Sequence, residues 1–199
     1  MQNRSCEGCG LELPWCCCSQ IEPQQCQLEF ALLLHENEHH RATATSKIIQ
    51  QVLPTTQLYQ WQRKDPPKAL LERINASDTE VWLLFPADRP ELITRSRPFK
   101  PAEKKRSTLI IVPDGTWKEV RKIVRKSPWL DQLPILSFSP ARKSRYDLRR
   151  NPDADHLCTA ETVAELLKLN REVEAASELD RALDRFIHHY KRARQNLPL

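Results

Sequence analysis

The sequence predicts an α/β protein with a mainly parallel sheet, preceded by a small cysteine-rich segment. Short continuous apolar runs, typical of buried strands, alternate along the chain with stretches of helical spacing. This alternation is characteristic of parallel sheets whose strands are joined by helices. Six of the seven cysteines lie within the first 26 residues. We therefore predict a metal-organised knuckle at residues 1–26 and an α/β domain at residues 27–199.

Four short apolar runs are predicted to be buried strands. They comprise residues 28–34, 81–85, 108–112 and 135–138. Pro86 ends the second run, and Pro113, Asp114 and Gly115 follow the third. Two basic segments contain few apolar residues, so we expect exposed loops at residues 87–107 and 141–150.

Four further segments have the spacing of helices. They comprise residues 36–53, 117–125, 160–169 and 171–194. Pro54 would stop the first of them. In the last segment, apolar residues from Leu179 to Tyr190 recur on one helix face. That pattern indicates a helix packed against the core rather than a surface for a partner.

The composition is that of a soluble globular protein. The 199 residues are 40% hydrophobic and 29% charged, which suits a chain with one real core. No apolar run approaches the roughly 18 residues that a membrane span needs. The first residues are polar and lack the apolar stretch of a secretory signal. We therefore expect a cytoplasmic protein without a membrane partner.

The cysteine spacing at the N-terminus indicates a zinc site. Cys6-x2-Cys9 and Cys16-x-Cys18 place four thiols within thirteen residues, and structural zinc needs four such donors in a tetrahedron. Clustered cysteines in a reducing compartment more often bind metal than form disulfides. We predict structural zinc at Cys6, Cys9, Cys16 and Cys18, although the spacing leaves open a substitution by Cys17.

Positive charge is concentrated in one part of the chain. Residues 95–150 contain 16 Lys and Arg against 5 Asp and Glu, whereas the remainder has 15 against 21. In the predicted helix 117–125, four cations share one face, which favours a polyanionic partner over a merely solvated surface. The residues that we expect to bind RNA are Lys118, Arg121, Lys122, Arg125, Arg142, Lys143 and Arg145.

The chain has only three glycines, so a glycine-rich nucleotide loop is excluded. One of them lies in the turn Asp114-Gly115-Thr116-Trp117, between a predicted strand and a predicted helix. Ligands of open parallel sheets bind beyond the carboxyl ends of the strands, so Asp114 is a candidate general base. Thr116 could cap the helix, and Trp117 could stack on a base. Spacing alone also allows a turn and cap without chemistry.

Several segments, in one order, resemble those of a known family. They are Cys6-x2-Cys9-x6-Cys16-x-Cys18, Leu34-His35-x2-Glu38 with Thr43-Ala44-Thr45, Leu84-Phe85-Pro86, Asp114-Gly115-Thr116-Trp117, and Ser144-x-Tyr146-x-Leu148-Arg149 with Cys158-Thr159-Ala160-Glu161. Together they resemble the DTW-domain proteins, and among these the bacterial tRNA-uridine aminocarboxypropyltransferases. Each segment alone is weak evidence, whereas the ordered set is specific.

The resemblance implies a SPOUT-like fold with a knotted cofactor site, S-adenosylmethionine as co-substrate and tRNA as partner. The implied reaction moves the 3-amino-3-carboxypropyl group to N3 of a uridine and releases methylthioadenosine. Asp114 would be the base or a cofactor ligand, and His35 and Glu38 could contribute to RNA or cofactor binding. The implied cofactor-binding residues are Leu84, Phe85, Pro86, Asp114, Gly115, Thr116, Trp117, Tyr146, Arg149, Thr159 and Glu161.

Some of these residues also have ordinary structural interpretations. Tyr146 could belong to the core, and Thr159 could cap a helix with Glu161 in its first turn. Three other functions remain open on the sequence: a SPOUT-type RNA methyltransferase, an rRNA-acting aminocarboxypropyltransferase and a non-catalytic RNA-binding module. No DNA partner is expected.

Overall fold

The computed structural model describes residues 5–38, 41–101, 107–139, 143–148 and 157–199. It confirms the α/β class. The chain forms two compact units. The sheet unit comprises Gln27–Arg41 and Thr55–Ser139, and the helical unit comprises Met1–Cys26, Ala42–Pro54 and Pro140–Leu199. The predicted boundary between residues 26 and 27 stays a prediction.

The sheet unit contains a parallel sheet of strands β1 (Leu28–Leu34), β2 (Gln57–Gln60), β3 (Thr79–Leu84), β4 (Ser107–Asp114) and β5 (Ile135–Leu136). Their order is β2-β1-β4-β3-β5, and every described strand pair is parallel, as predicted. The α-helices among the described residues are α1 (Ser46–Val52), α2 (Lys68–Ile74), α3 (Pro90–Ile93), α4 (Trp117–Arg125), α5 (Thr159–Leu169) and α6 (Val173–Arg194).

The core of the sheet unit lies against α4. Strand β4, at the centre of the sheet, is buried from Thr108 to Asp114, which explains its continuous apolar run. Leu33 and Ile111 on the strands pack in one cluster with Val120 and Ile123 of α4. This packing fixes the position of the turn between β4 and α4.

The helical unit has its own core, built around α6. Leu179, Leu183 and Phe186 are fully buried, and α6 packs against α1 and α5. The predicted interpretation of this stripe as core is therefore confirmed. Within the part of the chain that the structure describes, no helix combines the length and the apolar character needed to cross a membrane.

Two elements escaped the sequence patterns. Strand β2 lies at the sheet edge and is bounded by glutamines, so it lacks a continuous apolar run. Helix α2 has only seven residues, too few for a clear periodicity.

The loop expected at 87–107 contains α3, and the expected helix 36–53 is helical only over 46–52. The expected strand 135–138 ends at Leu136, and the Oγ of the next residue, Ser137, accepts from the amide of Ala87.

Candidate functional site

Three neighbouring strands bring sequence motifs to one edge of the sheet unit. Strands β1, β4 and β3 are adjacent and parallel, so their carboxyl ends meet. His35 follows β1, Asp114 ends β4, and Phe85-Pro86 follows β3. The backbone N–H of His35 donates to the carbonyl of Asp114 over 3.0 Å. This carboxyl edge is where ligands bind in open parallel sheets.

Asp114 is buried, with 4% of its surface exposed. Helix α4 begins three residues later and is capped as predicted by Thr116. The amide of Glu119 donates to Thr116 Oγ1, while the Glu119 carboxylate accepts from the Thr116 amide over 2.8 Å. This reciprocal capping box holds the turn after Asp114 in one conformation. Trp117, also in the predicted site, packs partly against the core.

Gly115 has a φ of +156°, and a Cβ there would lie 3.1 Å from Glu119 Cβ and 3.5 Å from His35 Cβ. Residues other than glycine are strained in that conformation.

We expect Gly115→Ala to lower the free energy of unfolding by about 1–3 kcal/mol. Urea denaturation measures this change. Ser77→Ala, in an exposed turn, is the control and should stay within about 0.5 kcal/mol; equal effects of the two would contradict the argument.

Glu119 links the capped turn to the segment after β1. Its Oε1 accepts from Arg41 Nη2 and from Asn37 Nδ2, each over 2.9 Å. Burial would raise the pKa of Glu119, but donors from Arg41, Asn37 and Thr116 outweigh it and lower the pKa to about 2. Sequence reasoning missed this role, although Thr116-x-x-Glu119 is the pattern of a capping box.

Glu38 is the second buried carboxyl group of this edge, with 7% of its surface exposed. Arg41 Nη1 donates to both of its oxygens, over 2.9 and 2.7 Å. Burial, followed by the negative charge of Asp114, raises the pKa of Glu38 to about 7 despite Arg41. Asp114 and Glu38 therefore interact electrostatically, while Arg41 joins Glu38 to Glu119.

His35 lies between an aromatic ring and a cation. Its ring stacks on Trp61 with centroids 5.5 Å apart, and its Nε2 is 3.3 Å from Lys122 Nζ. The same Nζ lies 5.5 Å from the centre of the Trp61 ring, within the range of cation–π attraction. Trp61 in turn donates to Ser127 Oγ over 2.8 Å. Nothing in the sequence pattern had pointed to Trp61.

The cationic face of α4 is therefore less uniform than its spacing suggests. Lys118 and Arg125 are exposed. Arg121 is exposed as well, but it forms an ion pair with Asp88 over 2.8 Å. Lys122 is half-buried and turned towards His35 and Trp61. The RNA-binding role of these four residues stays a prediction. Substitutions of exposed Lys118 and Arg125 would test it most directly.

The other predicted site residues lie in the helical unit, where their contacts are structural. Tyr146 is buried and its hydroxyl donates to the carbonyl of Thr43. Glu161 is fully buried and accepts from Ser144 Oγ and from the amides of Arg145 and Cys158. Cofactor contacts by Tyr146 and Glu161 stay predictions.

One detail of this region differs from the sequence interpretation. Cys158, not Thr159, is the N-cap of α5, and Thr159 is its first residue. Arg145 forms ion pairs with Asp180 and Asp184, and its role in RNA binding stays a prediction. Lys143 is exposed. Arg142 and Arg149 lie outside the described residues.

The predicted zinc ligands come together as a cysteine cluster of Cys6, Cys9, Cys16 and Cys18, whose Sγ atoms all lie within 4.8 Å of one another. Sγ separations include 3.3 Å for Cys6–Cys16, 3.7 Å for Cys6–Cys18 and 3.9 Å for Cys9–Cys16. Four sulfurs about 2.3 Å from a tetrahedral zinc are about 3.8 Å apart. The cysteine cluster therefore fits zinc.

Cys17 is fully buried beside this cluster and is not one of its four members. A hydrogen bond from the Cys17 thiol, together with backbone bonds to Cys17 and Leu11, lowers the pKa of Cys9 to about 4 in spite of burial. Burial raises the pKa of Cys18. Hydrogen-bond donors favour the thiolate form of Cys9. Further thiolates in the cysteine cluster need a nearby cation, and zinc would supply that positive charge.

A glycine makes room for the cysteine cluster. A Cβ on Gly8 would lie 2.8 Å from Cys18 Sγ, so the small residue is needed for close approach and not for an unusual backbone angle. Gly10 has a φ of +80° and supplies the flexible turn.

The end of the cysteine-rich segment, from Trp15 to Glu22, is held by α6 within the helical unit. The amide of Glu22 donates to the buried Glu178 over 3.1 Å, and Arg185 donates to the carbonyl of Gln20. His189 Nδ1 lies 3.1 Å from the carbonyl of Trp15. These contacts attach the N-terminal segment to a stable helix and support a structural role for the cysteine cluster.

Comparison with known proteins agrees with the motifs. The DTW domain family profile matches residues 3–191. The tRNA-uridine aminocarboxypropyltransferase 2 of Drosophila melanogaster is 27% identical over 195 residues, which cover 94% of this chain and 73% of that protein. No solved structure matches the chain. Because the family profile covers nearly the whole sequence, the chain belongs to the DTW-domain family.

Proposed function

We propose that this protein is a tRNA-uridine aminocarboxypropyltransferase that uses S-adenosylmethionine as co-substrate. The observation that carries the proposal is Asp114, a buried carboxylate of the DTW segment at the carboxyl edge of a parallel sheet. The name of the Drosophila melanogaster relative supports the reaction class. We further propose that the sheet belongs to a SPOUT-like fold with a knotted cofactor site.

The residues of the carboxyl edge suit the chemistry of this co-substrate. S-adenosylmethionine carries a sulfonium and an ammonium group, and Asp114 and Glu38 place two buried carboxyl groups at this edge. Leu84 and Phe85 are buried behind this edge, so half-buried Pro86 is the member of this segment that we propose contacts the base. The chain's scarcity of glycine agrees with a cofactor site that is not of the dinucleotide-binding type.

In the proposed reaction, Asp114 accepts the proton from uridine N3. The N3 electron pair then attacks the Cγ carbon of the methionine moiety, and the Cγ–S bond breaks with its electron pair going to sulfur. The positively charged sulfonium becomes the neutral thioether of methylthioadenosine. The protein must direct Cγ, rather than the methyl group, towards N3. The rigid capped turn beside Asp114 would hold the base for this step.

For the RNA we propose binding along the cationic face of α4, through exposed Lys118 and Arg125. Each phosphate contact releases counterions, so Lys118→Gln or Arg125→Gln should weaken tRNA binding and reduce the slope of log K against log salt by about one. Fluorescence anisotropy at several salt concentrations measures this slope. Lys68→Gln, an exposed lysine on α2, is the matched control. Unchanged slopes in both α4 variants would refute this placement of the RNA.

The cysteine cluster would hold structural zinc. All four of its thiols would be zinc ligands, which leaves no coordination position for a substrate. Zinc would therefore hold the four cysteines together and take no part in the transfer.

The decisive experiment is incubation of the protein with S-adenosylmethionine and unmodified tRNA, followed by mass spectrometry of the nucleosides and of the spent co-substrate. We expect aminocarboxypropyluridine together with methylthioadenosine. S-adenosylhomocysteine and a methylated nucleoside would instead identify a methyltransferase. Modification of rRNA but not tRNA in a parallel reaction would identify an rRNA-acting enzyme, and no product with either RNA would leave an RNA-binding module.

A further inference from the structure

The carboxyl edge contains more proton-binding groups than the proposed transfer step uses. Asp114 and Glu38 are both buried carboxyl groups, and they interact through their charges. The backbone relates them as well. His35 donates its N–H to the Asp114 carbonyl over 3.0 Å, and the Glu38 amide donates to the His35 carbonyl over 2.8 Å. The turn after β1 therefore places Glu38 beside the end of β4.

Arg41 holds the Glu38 carboxylate in this position. Its Nη1 binds both Glu38 oxygens, and its Nη2 binds Glu119 over 2.9 Å. Glu119 is fixed in turn by the capping box of α4. This Arg41 clamp, formed by Glu38, Arg41 and Glu119, thus joins the turn after β1 to α4. It orients Glu38 without cancelling the interaction of Glu38 with Asp114.

The two carboxyl groups that Arg41 binds differ in their protonation, and only Glu38 can take up a proton near neutral pH. Paired carboxyl groups in one site cannot easily both be charged, so such a pair retains a proton to higher pH. Burial and Asp114 raise the pKa of Glu38 to about 7. Glu119, in contrast, has a pKa lowered to about 2 and remains charged as the partner of Arg41.

We propose that Glu38 is a second proton-accepting group of the reaction, which receives from Asp114 the proton removed from uridine N3, with Arg41 as its positioning residue. This inference rests on the proposed function. The proton leaves N3, its bonding electron pair stays on nitrogen and attacks Cγ, and the sulfonium takes up the electrons of the broken C–S bond. The proton on the carboxyl pair then passes to water, which restores the site.

The first test is the pH dependence of the single-turnover rate with saturating S-adenosylmethionine and tRNA. The wild-type rate should rise with pH through an apparent pKa near 7 and then level off, because the carboxyl pair must lose its proton to act as base. Glu38→Gln should lower the plateau at least tenfold and remove this rise. Glu38→Asp, which retains a carboxyl group, should restore the rise.

Glu36→Gln is the matched control, because Glu36 is an exposed carboxylate in the same turn. Its pH profile should equal that of the wild type. A rise near pH 7 that persists in Glu38→Gln would overturn the proposal, even if the rate is lower, because a merely structural Glu38 would not move it. If the wild type makes no aminocarboxypropyluridine at any pH, the proposed function itself is wrong.

A second measurement does not depend on activity. The carboxyl ¹³C signal of Glu38, assigned by its loss in Glu38→Gln, should titrate near pH 7 in the whole protein. The charges around it are Asp114, Glu119 and Arg41. Asp114→Asn removes a negative charge and should lower the Glu38 pKa, whereas Arg41→Gln removes a positive charge and should raise it. A Glu38 signal that ignores Asp114→Asn would overturn the coupling.

Discussion

Asp114→Asn is expected to reduce the single-turnover rate of the proposed transfer by about 10²–10⁴-fold, the usual contribution of a general base. Asparagine has nearly the same shape but cannot accept the N3 proton. The backbone bond from His35 to the carbonyl of residue 114 does not involve the side chain. The capping box of α4 depends on Thr116 and Glu119 and should also persist.

The measurement combines the rate with the affinity for S-adenosylmethionine by calorimetry. If Asp114 is the base, the rate falls and the affinity changes little. A parallel collapse of affinity would instead identify Asp114 as a ligand of the co-substrate's amino group or ribose. Asp65→Asn, an exposed carboxylate of the sheet unit, should leave both quantities unchanged. A rate for Asp114→Asn within threefold of the wild type would remove the base from our mechanism.

The elements that sequence patterns predicted well are those with a long, uninterrupted apolar signal. Strands β1 and β4 are buried along most of their length, so their sequences are mainly apolar, with half-buried Glu29 as the exception inside β1. Helix α4 begins and ends where its apolar face and capping residues predict. Strand β2 escaped because an edge strand buries few of its side chains, and its register comes from pairing with β1 instead.

The candidate site likewise has one part that local sequence predicts and another that depends on distant contacts. Asp114 was predictable because its place after an apolar strand follows from local sequence. The Arg41 clamp was not predictable, because Arg41 joins Glu38 to Glu119, and Glu119 lies 78 positions after Arg41 in the chain. The side-chain direction of Lys122 depends on Trp61, which lies in a segment without a clear pattern. Helical spacing assigned Lys122 to the cationic face of α4 but did not predict its contact with the Trp61 ring.

Loss of zinc is the second large effect that we expect. Cys9→Ser removes the most buried of the four thiols of the cysteine cluster, and serine is a poor zinc ligand. Zinc content measured by mass spectrometry should fall from about one ion per chain to near zero. The melting temperature should fall by about 10 °C, or about 3 kcal/mol at roughly 2–4 °C per kcal/mol for a chain of this size.

Cys26→Ser is the matched control, because Cys26 lies in the same segment but outside the cysteine cluster. It should retain zinc and melt within about 2 °C of the wild type. Limited proteolysis adds a local measure. The contacts from Glu178, Arg185 and His189 to residues 15–22 should hold that segment even without zinc, so cleavage in Cys9→Ser should concentrate before residue 15. Cleavage throughout residues 5–22 would mean that zinc, and not α6, holds the whole segment in place.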